Sequence, residues 1–197
     1  QTRRDIPDWE LIRVSVNLSR TDFRLMDMVQ AVEDVRLRFG VARSLLNIEV
    51  TEGAQSGDEK FLQGEIARFR AAGYEVWMDD FGSGYSSLNN VKDYVFDVLK
   101  IDMNFLRSFE TNPKSGIVIR SIVNMAKELG MHTLAEGVET EEQFAFLREI
   151  GCEKVQGYLF SPPMPFEKAV AYCYGPQAQV KVEPLRLGSY YSEIGAI

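Results

Sequence analysis

Short apolar runs alternate with longer amphipathic ones along most of this chain. The runs Ile12–Val16 (IRVSV), Asn47–Val50 (NIEV), Glu75–Met78 (EVWM), Val98–Ile101 (VLKI), His132–Ala135 (HTLA) and Lys154–Gln156 (KVQ) are of strand length. Between them the apolar spacing turns helical. Residues 21–40 carry Leu25, Val29, Val32, Val35 and Phe39 on one face, with Asp22 as the cap and Gly40 as the stop. Residues 57–73 group Phe61, Ile66 and Phe69 and end on Gly73, and residues 114–130 group Ile119, Ile122, Val123 and Met125 before Gly130. Residues 140–151 open on a threonine cap followed by acids and end on Gly151.

Such alternation, with no long polar linker, predicts a parallel sheet wrapped by helices. An open doubly wound sheet and a closed barrel both satisfy it. No GxGxxG or GxxxxGKS loop follows any strand, which weakens the nucleotide-binding open sheet. A complete (β/α)8 TIM-type barrel takes about 250 residues. The 197 residues here are therefore short by about two βα units. We expect residues 1–175 to form this partial barrel domain. Residues 176–197 lack packing periodicity and are expected to be a C-terminal extension or linker.

Composition narrows the partners. The chain is 45% hydrophobic, carries 22 Lys and Arg against 29 Asp and Glu, and has a net charge of −7. This argues against polymeric nucleic acid and anionic membranes as partners, although an anionic small molecule remains compatible if metal ions neutralise the contact. Cys152 and Cys173 have neither CxxC nor Cys/His spacing, so no disulfide framework or zinc site is expected and a reducing cytoplasmic location fits. No apolar run reaches the roughly 18–20 residues of a membrane span, and residues 1–10 lack the apolar core of a signal peptide. The chain begins without Met, and we expect it to be a piece of a longer protein.

The chemistry concentrates at the strand ends. The run ending in Met78 meets two adjacent carboxylates, Asp79 and Asp80, with Gly82 and Gly84 close behind. Side chains alternate along a strand, so neighbouring acids reach one pocket only if the chain turns there. The other strands end on Asn17, on Glu49 and Glu52, on Lys100 and Asp102, on Glu136 and Glu139, and on Gln156. In a βα barrel these positions converge on one mouth, where active sites of this fold sit. So many acids need compensating charge, and an oxygen-rich set without Cys or His suits Mg²⁺ or Mn²⁺. Asp79 and Asp80 can hold two such ions as a clamp for displacement at phosphorus, with Asp79 placed to bridge. Taken singly, each residue has an ordinary explanation. Asp-Asp before glycine is usually a solvated turn, Asn17 and Ser19 are helix-capping types, and Glu49 and Glu52 fit a strand surface. Lys100 between strand apolars is stranger, since it needs a partner or an exit to solvent. His132 is expected to be structural. Joint placement at consecutive strand ends is what the ordinary explanations leave unaccounted for.

These motifs resemble the EAL domains, bacterial phosphodiesterases that linearise cyclic di-GMP. The matching stretches are SVNLS, IEVTE, MDDFGSGYSSL, DVLKID, AEGVETEEQ and GCEKVQGYLFSPPMP, in the family's order from Arg13 to Pro165. The resemblance implies a (β/α)8 barrel, two Mg²⁺ or Mn²⁺ ions, and metal-dependent hydrolysis of one phosphodiester to linear pGpG in bacterial second-messenger signalling. It makes Asn17, Glu49 and Asp79 ligands of one ion, and Asp79 and Asp80 ligands of the other. Lys100 then touches the attacking water, Glu136 serves as base or as a second-metal ligand, Glu139 and Gln156 complete the inner shell, and Glu52 steadies the loop from Asp80 to Ser87. The family's naming Glu-Ala-Leu segment does not occur in this chain. We therefore expect the first two strands to be missing, an active parent protein, and a fragment of reduced activity. The alternative is a non-catalytic cyclic di-GMP receptor that regulates an attached module. Homodimerisation through uncovered strand edges is expected. The resemblance also implies attached sensory or GGDEF-type domains, in a full-length protein that is cytoplasmic or membrane-anchored.

Overall fold

The computed structural model describes residues 13–51, 59–82, 88–109 and 111–174. Two compact units divide the chain, residues 1–160 and 161–197. In the second, the described element is helix α8 (Phe166–Tyr174).

The first unit holds strands β1 (Val14–Leu18), β2 (Leu46–Thr51), β3 (Glu75–Phe81), β4 (Val98–Ile101), β5 (His132–Glu136) and β6 (Lys154–Gln156). They form one sheet in the order β1-β2-β3-β4-β5-β6, and every neighbouring pair is parallel. Helices fill the crossovers. They are α1 (Arg20–Leu25), α2 (Met28–Phe39), α3 (Glu59–Ala71), α4 (Leu88–Asp93), α5 (Met103–Arg107), α6 (Pro113–Glu128) and α7 (Glu141–Glu149), with a 3-10 turn at Arg43–Leu45. This is the order of consecutive strands in a (β/α)8 barrel. The sheet also curves like one. Lys154 of β6 lies over the Trp77 ring of β3, 4.7 Å from its centroid, whereas three strand spacings in a flat sheet would part them by about 14 Å. Among the described residues β1 and β6 each pair with one strand, so the sheet does not close on itself.

One face of the sheet makes the main core. Ile48, Val50, Val76, Met78, Leu99 and Ile101 are almost fully excluded from solvent beneath the helices. From α3 come Leu62, Ile66 and Phe69, and from α6 Ile119, Ile122, Val123 and Ala126, each set at helical spacing. The sequence expectation had named Phe61, which is 43% exposed. Leu62 replaces it because 62, 66 and 69 lie four and three residues apart, whereas 61 falls off that stripe. Ala126 likewise outranks the half-buried Met125.

Residues 21–40 form two helices rather than one. Ser19, not Asp22, caps α1, and the Asp22 carboxylate accepts from the Ser19 backbone N–H in a capping box. The chain then extends at Met26, and Asp27 caps α2 by accepting from Gln30 N. Asp27 also pairs with Arg68 at 2.6 Å. A cap with that second anchor competes successfully with continuation of the first helix. The reorientation leaves Leu25, Val35 and Phe39 exposed, while Val29 and Val32 still pack on the core.

Candidate active site

Residues two apart on a strand share a face, so the register defines what lines the face opposite the main core. Glu49, Trp77 and Val98 are neighbours across β2, β3 and β4, Lys100 pairs with Leu134, and Glu136 pairs with Gln156. The face has two layers. Toward the strand starts, Trp77, Val98 and Leu134 form a small apolar cluster. Toward the strand ends, Glu49, Asp79, Lys100 and Glu136 form a polar one.

The adjacent acids reach the same region because the chain does turn. Met78 pairs with Leu99 and Phe81 with Ile101, so β3 advances three residues where β4 advances two, which is a bulge. Asp80 sits within it at φ 57, the one positive value at a non-glycine residue among those described. One oxygen from each of Asp79, Asp80 and Glu136 lies within 4.8 Å of the other two. That donor set, all carboxylate oxygen, fits a hard divalent cation and not a thiophilic one.

Lys100 Nζ donates to Glu49 Oε2 at 2.7 Å and Asp79 Oδ1 at 2.7 Å, and lies 3.0 Å from Glu136 Oε1. Lys100, Glu49 and Asp79 are 5%, 6% and 8% exposed. Burial opposes the ammonium, but its hydrogen bonds to Asp79, Glu49 and Glu136 outweigh that and hold Lys100 above its ordinary range. Glu136 is also pushed up, by burial and the charges of Asp79 and Glu49, against the pull of Lys100. The two shifts are compatible, since one ammonium shared by three acids is better served than any one of them. Asp80 is raised by burial and then by the Asp79 charge.

The remaining candidates take varied places. Asn17 is exposed near the end of β1, paired in register with Glu49. Gln156 donates to Glu136 Oε1 at 3.2 Å. Glu139 is exposed, and its backbone N–H donates to Gln143, whose side chain completes the Thr140 capping box of α7. Glu52 lies outside the described residues. His132 opens β5, at the far end from the acids, and pairs with Glu153 at 3.0 Å.

Sequence reasoning counted Asp102 among the strand-end groups but missed the support it gives beneath them. Asp102 is buried and caps α5 by accepting from Asn104 N. An Asp followed at once by an apolar-rich run was the signal for that cap. Helix α5 in turn braces two strand-end loops. A Cβ at Gly82 (φ 94) would come within 2.0 Å of the Phe105 ring, and one at Gly137 (φ 73) within 2.5 Å of Met103 Cβ. Only glycine permits both the backbone and the approach. The lower layer was missed as well. There Trp77 Nε1 donates to Glu75 Oε2 at 3.2 Å, and Arg13 pairs with Glu75 at 2.6 Å.

Comparison with known proteins gives the class. A family model described as "EAL domain" matches residues 1–163, and this chain belongs to that family. It is 38% identical over 156 residues to the cyclic di-GMP phosphodiesterase NbdA of Pseudomonas aeruginosa, which covers 79% of this chain and 20% of NbdA. Its fold matches the PaMucR phosphodiesterase solved in complex with c-di-GMP (TM-score 0.74, 35% identity, 80% of this chain and 64% of that one). It also matches BlrP1 of Klebsiella pneumoniae, solved as a manganese/cy-diGMP complex (TM-score 0.70, 30% identity, 77% of this chain and 39% of that one). The architecture is thus the TIM-barrel type of the EAL domains, represented by a six-stranded parallel sheet. The chain spans 20–21% of the length of several full-length relatives. Among the described residues no helix is long and apolar enough to cross a membrane.

Proposed function

We propose that this chain is the core of a cyclic di-GMP phosphodiesterase domain that uses two Mg²⁺ or Mn²⁺ ions and opens one phosphodiester to linear pGpG. The observation that carries the reading is the cluster of Asp79, Asp80 and Glu136 oxygens within 4.8 Å, beside a buried lysine, in an EAL chain. Asn17, Glu49 and Asp79 would hold one ion, and Asp79 and Asp80 the other. Bound there, the ions would activate water and stabilise charge on the phosphoryl oxygens. Water adds to phosphorus, the bond to the 3′ oxygen breaks, and that oxygen leaves with a proton. Glu136 accepts the proton lost by the water or joins the ligands, and burial together with the charges of Asp79 and Glu49 already favours a proton on it. Lys100 orients the water, Gln156 holds Glu136 through their 3.2 Å bond and completes the inner shell with Glu139, and Glu52 would steady the loop after Asp80. The acids at the ends of β2, β3 and β5, Glu49, Asp79, Asp80 and Glu136, favour the enzyme over the receptor alternative.

The test is turnover of cyclic di-GMP by the full-length protein. Hydrolysis is expected with Mg²⁺ or Mn²⁺, with inhibition by Ca²⁺, whose longer bonds and higher coordination number suit a compact two-ion site poorly. Undiminished activity in excess EDTA would overturn the reading.

A further inference from the structure

The acids of this site already serve a cation, and it belongs to the chain. Lys100 Nζ lies 2.7 Å from Glu49 Oε2, 2.7 Å from Asp79 Oδ1 and 3.0 Å from Glu136 Oε1. An ammonium has three donors, and here three separate carboxylates take them. Asp79 and Glu136 are also two of the three residues whose oxygens converge as ion ligands. The lysine is 5% exposed on a four-residue strand whose flanking residues, Leu99 and Ile101, are fully buried on the opposite face. Its stem is therefore held in place, and the head group has little room except within the acid cage.

We infer that Lys100 is the resident counter-ion of the cage: it holds Glu49, Asp79 and Glu136 together before a divalent ion arrives, and it competes with that ion for the same oxygens. This rests on the metal-binding reading above and adds an antagonism to it. A divalent ion must loosen at least some of the lysine's contacts and bind beside its positive charge. The ammonium donors released in that exchange become free to bind the attacking water or the phosphate, so loading with metal would itself switch on the lysine's second role.

The experiment titrates Mn²⁺, without nucleotide, into wild type, Lys100→Met and Lys100→Arg of the intact protein by calorimetry, and follows thermal unfolding with and without Mn²⁺. We expect Lys100→Met to melt lower than wild type without metal, to bind Mn²⁺ about tenfold more tightly, and to gain more thermal stability from it. Lys100→Arg keeps the charge and should keep wild-type affinity. Equal or weaker binding by Lys100→Met, or equal tightening by Lys100→Arg, overturns the inference while leaving the metal reading intact. If Lys100→Met is unfolded without metal, recovery of its far-UV circular dichroism by millimolar Mn²⁺ supports the inference and failure to recover overturns it. If neither wild type nor Lys100→Met binds Mn²⁺, the metal reading falls and the inference with it. Binding by Lys100→Met alone is the competition in its strongest form.

Discussion

The two layers on the inner face of the sheet are built by the same strands two residues apart, yet they answer opposite demands. The lower layer packs Trp77, Val98 and Leu134 together and uses charge only at its margin, where Lys154 covers the Trp77 ring and Arg13 meets Glu75. The upper layer places Glu49, Asp79 and Glu136 around one ammonium, with Asp80 beside them in a left-handed conformation. The lower one gains from excluding water. The upper one carries more acid than its lysine can neutralise, and burial, followed by the charge of the neighbouring acids, raises Glu136 and Asp80. Stability is stored below and chemistry above: alternation puts both layers on one face, and the rise of two residues along each strand keeps them apart.

The sharpest way to break this division is Glu136→Gln. Turnover should fall at least about 100-fold, since a base or ligand charge is lost, while nucleotide binding persists. Because burial disfavours the Glu136 carboxylate, the melting temperature should hold or rise. A variant that hydrolyses at the wild-type rate, or melts well below wild type, contradicts the division. Trp77→Ala makes the opposite case. It should cost about 3–5 kcal/mol of stability, measured by denaturant unfolding, while turnover per folded molecule at low temperature stays within a few-fold. A complete loss of turnover in the folded variant would show the layers to be coupled.

Gly82→Ala probes the joint between the acids and α5. A methyl at φ 94 against Phe105 should cost about 1–3 kcal/mol in backbone strain and reduce turnover together with stability. Stability equal to wild type would mean that the bulge carrying Asp80 does not depend on that brace. The smallest effect concerns pH in the lower layer. Burial would raise Glu75, but its pairing with Arg13 wins and lowers it. A carboxyl whose folded value lies below its unfolded one contributes stability that is complete above the ordinary carboxylate range and is lost as pH falls through the lowered value. Glu75 is partly exposed, so the contribution is small. Glu75→Gln should slightly flatten the acid limb of the stability profile, and an unchanged limb would remove Glu75 from the lower layer's account.

Much of this was legible in the residues themselves. Apolar runs located the six strands because a buried parallel strand tolerates few polar positions. Lys100 inside such a run demanded a partner, and adjacent acids at Asp79 and Asp80 demanded a turn. The structure meets the first demand with three carboxylates and the second with a bulge and a positive φ. Both demands are local, arising from the burial of one charge and the alternation of one strand. Tertiary structure decided the rest. Residues 21–40 broke in two because Asp27 found Arg68 from a different helix. Trp77 met Lys154, far along the chain, only through the curvature of the sheet. A sequence specifies which groups must be satisfied, but which distant group satisfies them depends on register and curvature, and these are set by all the strands together.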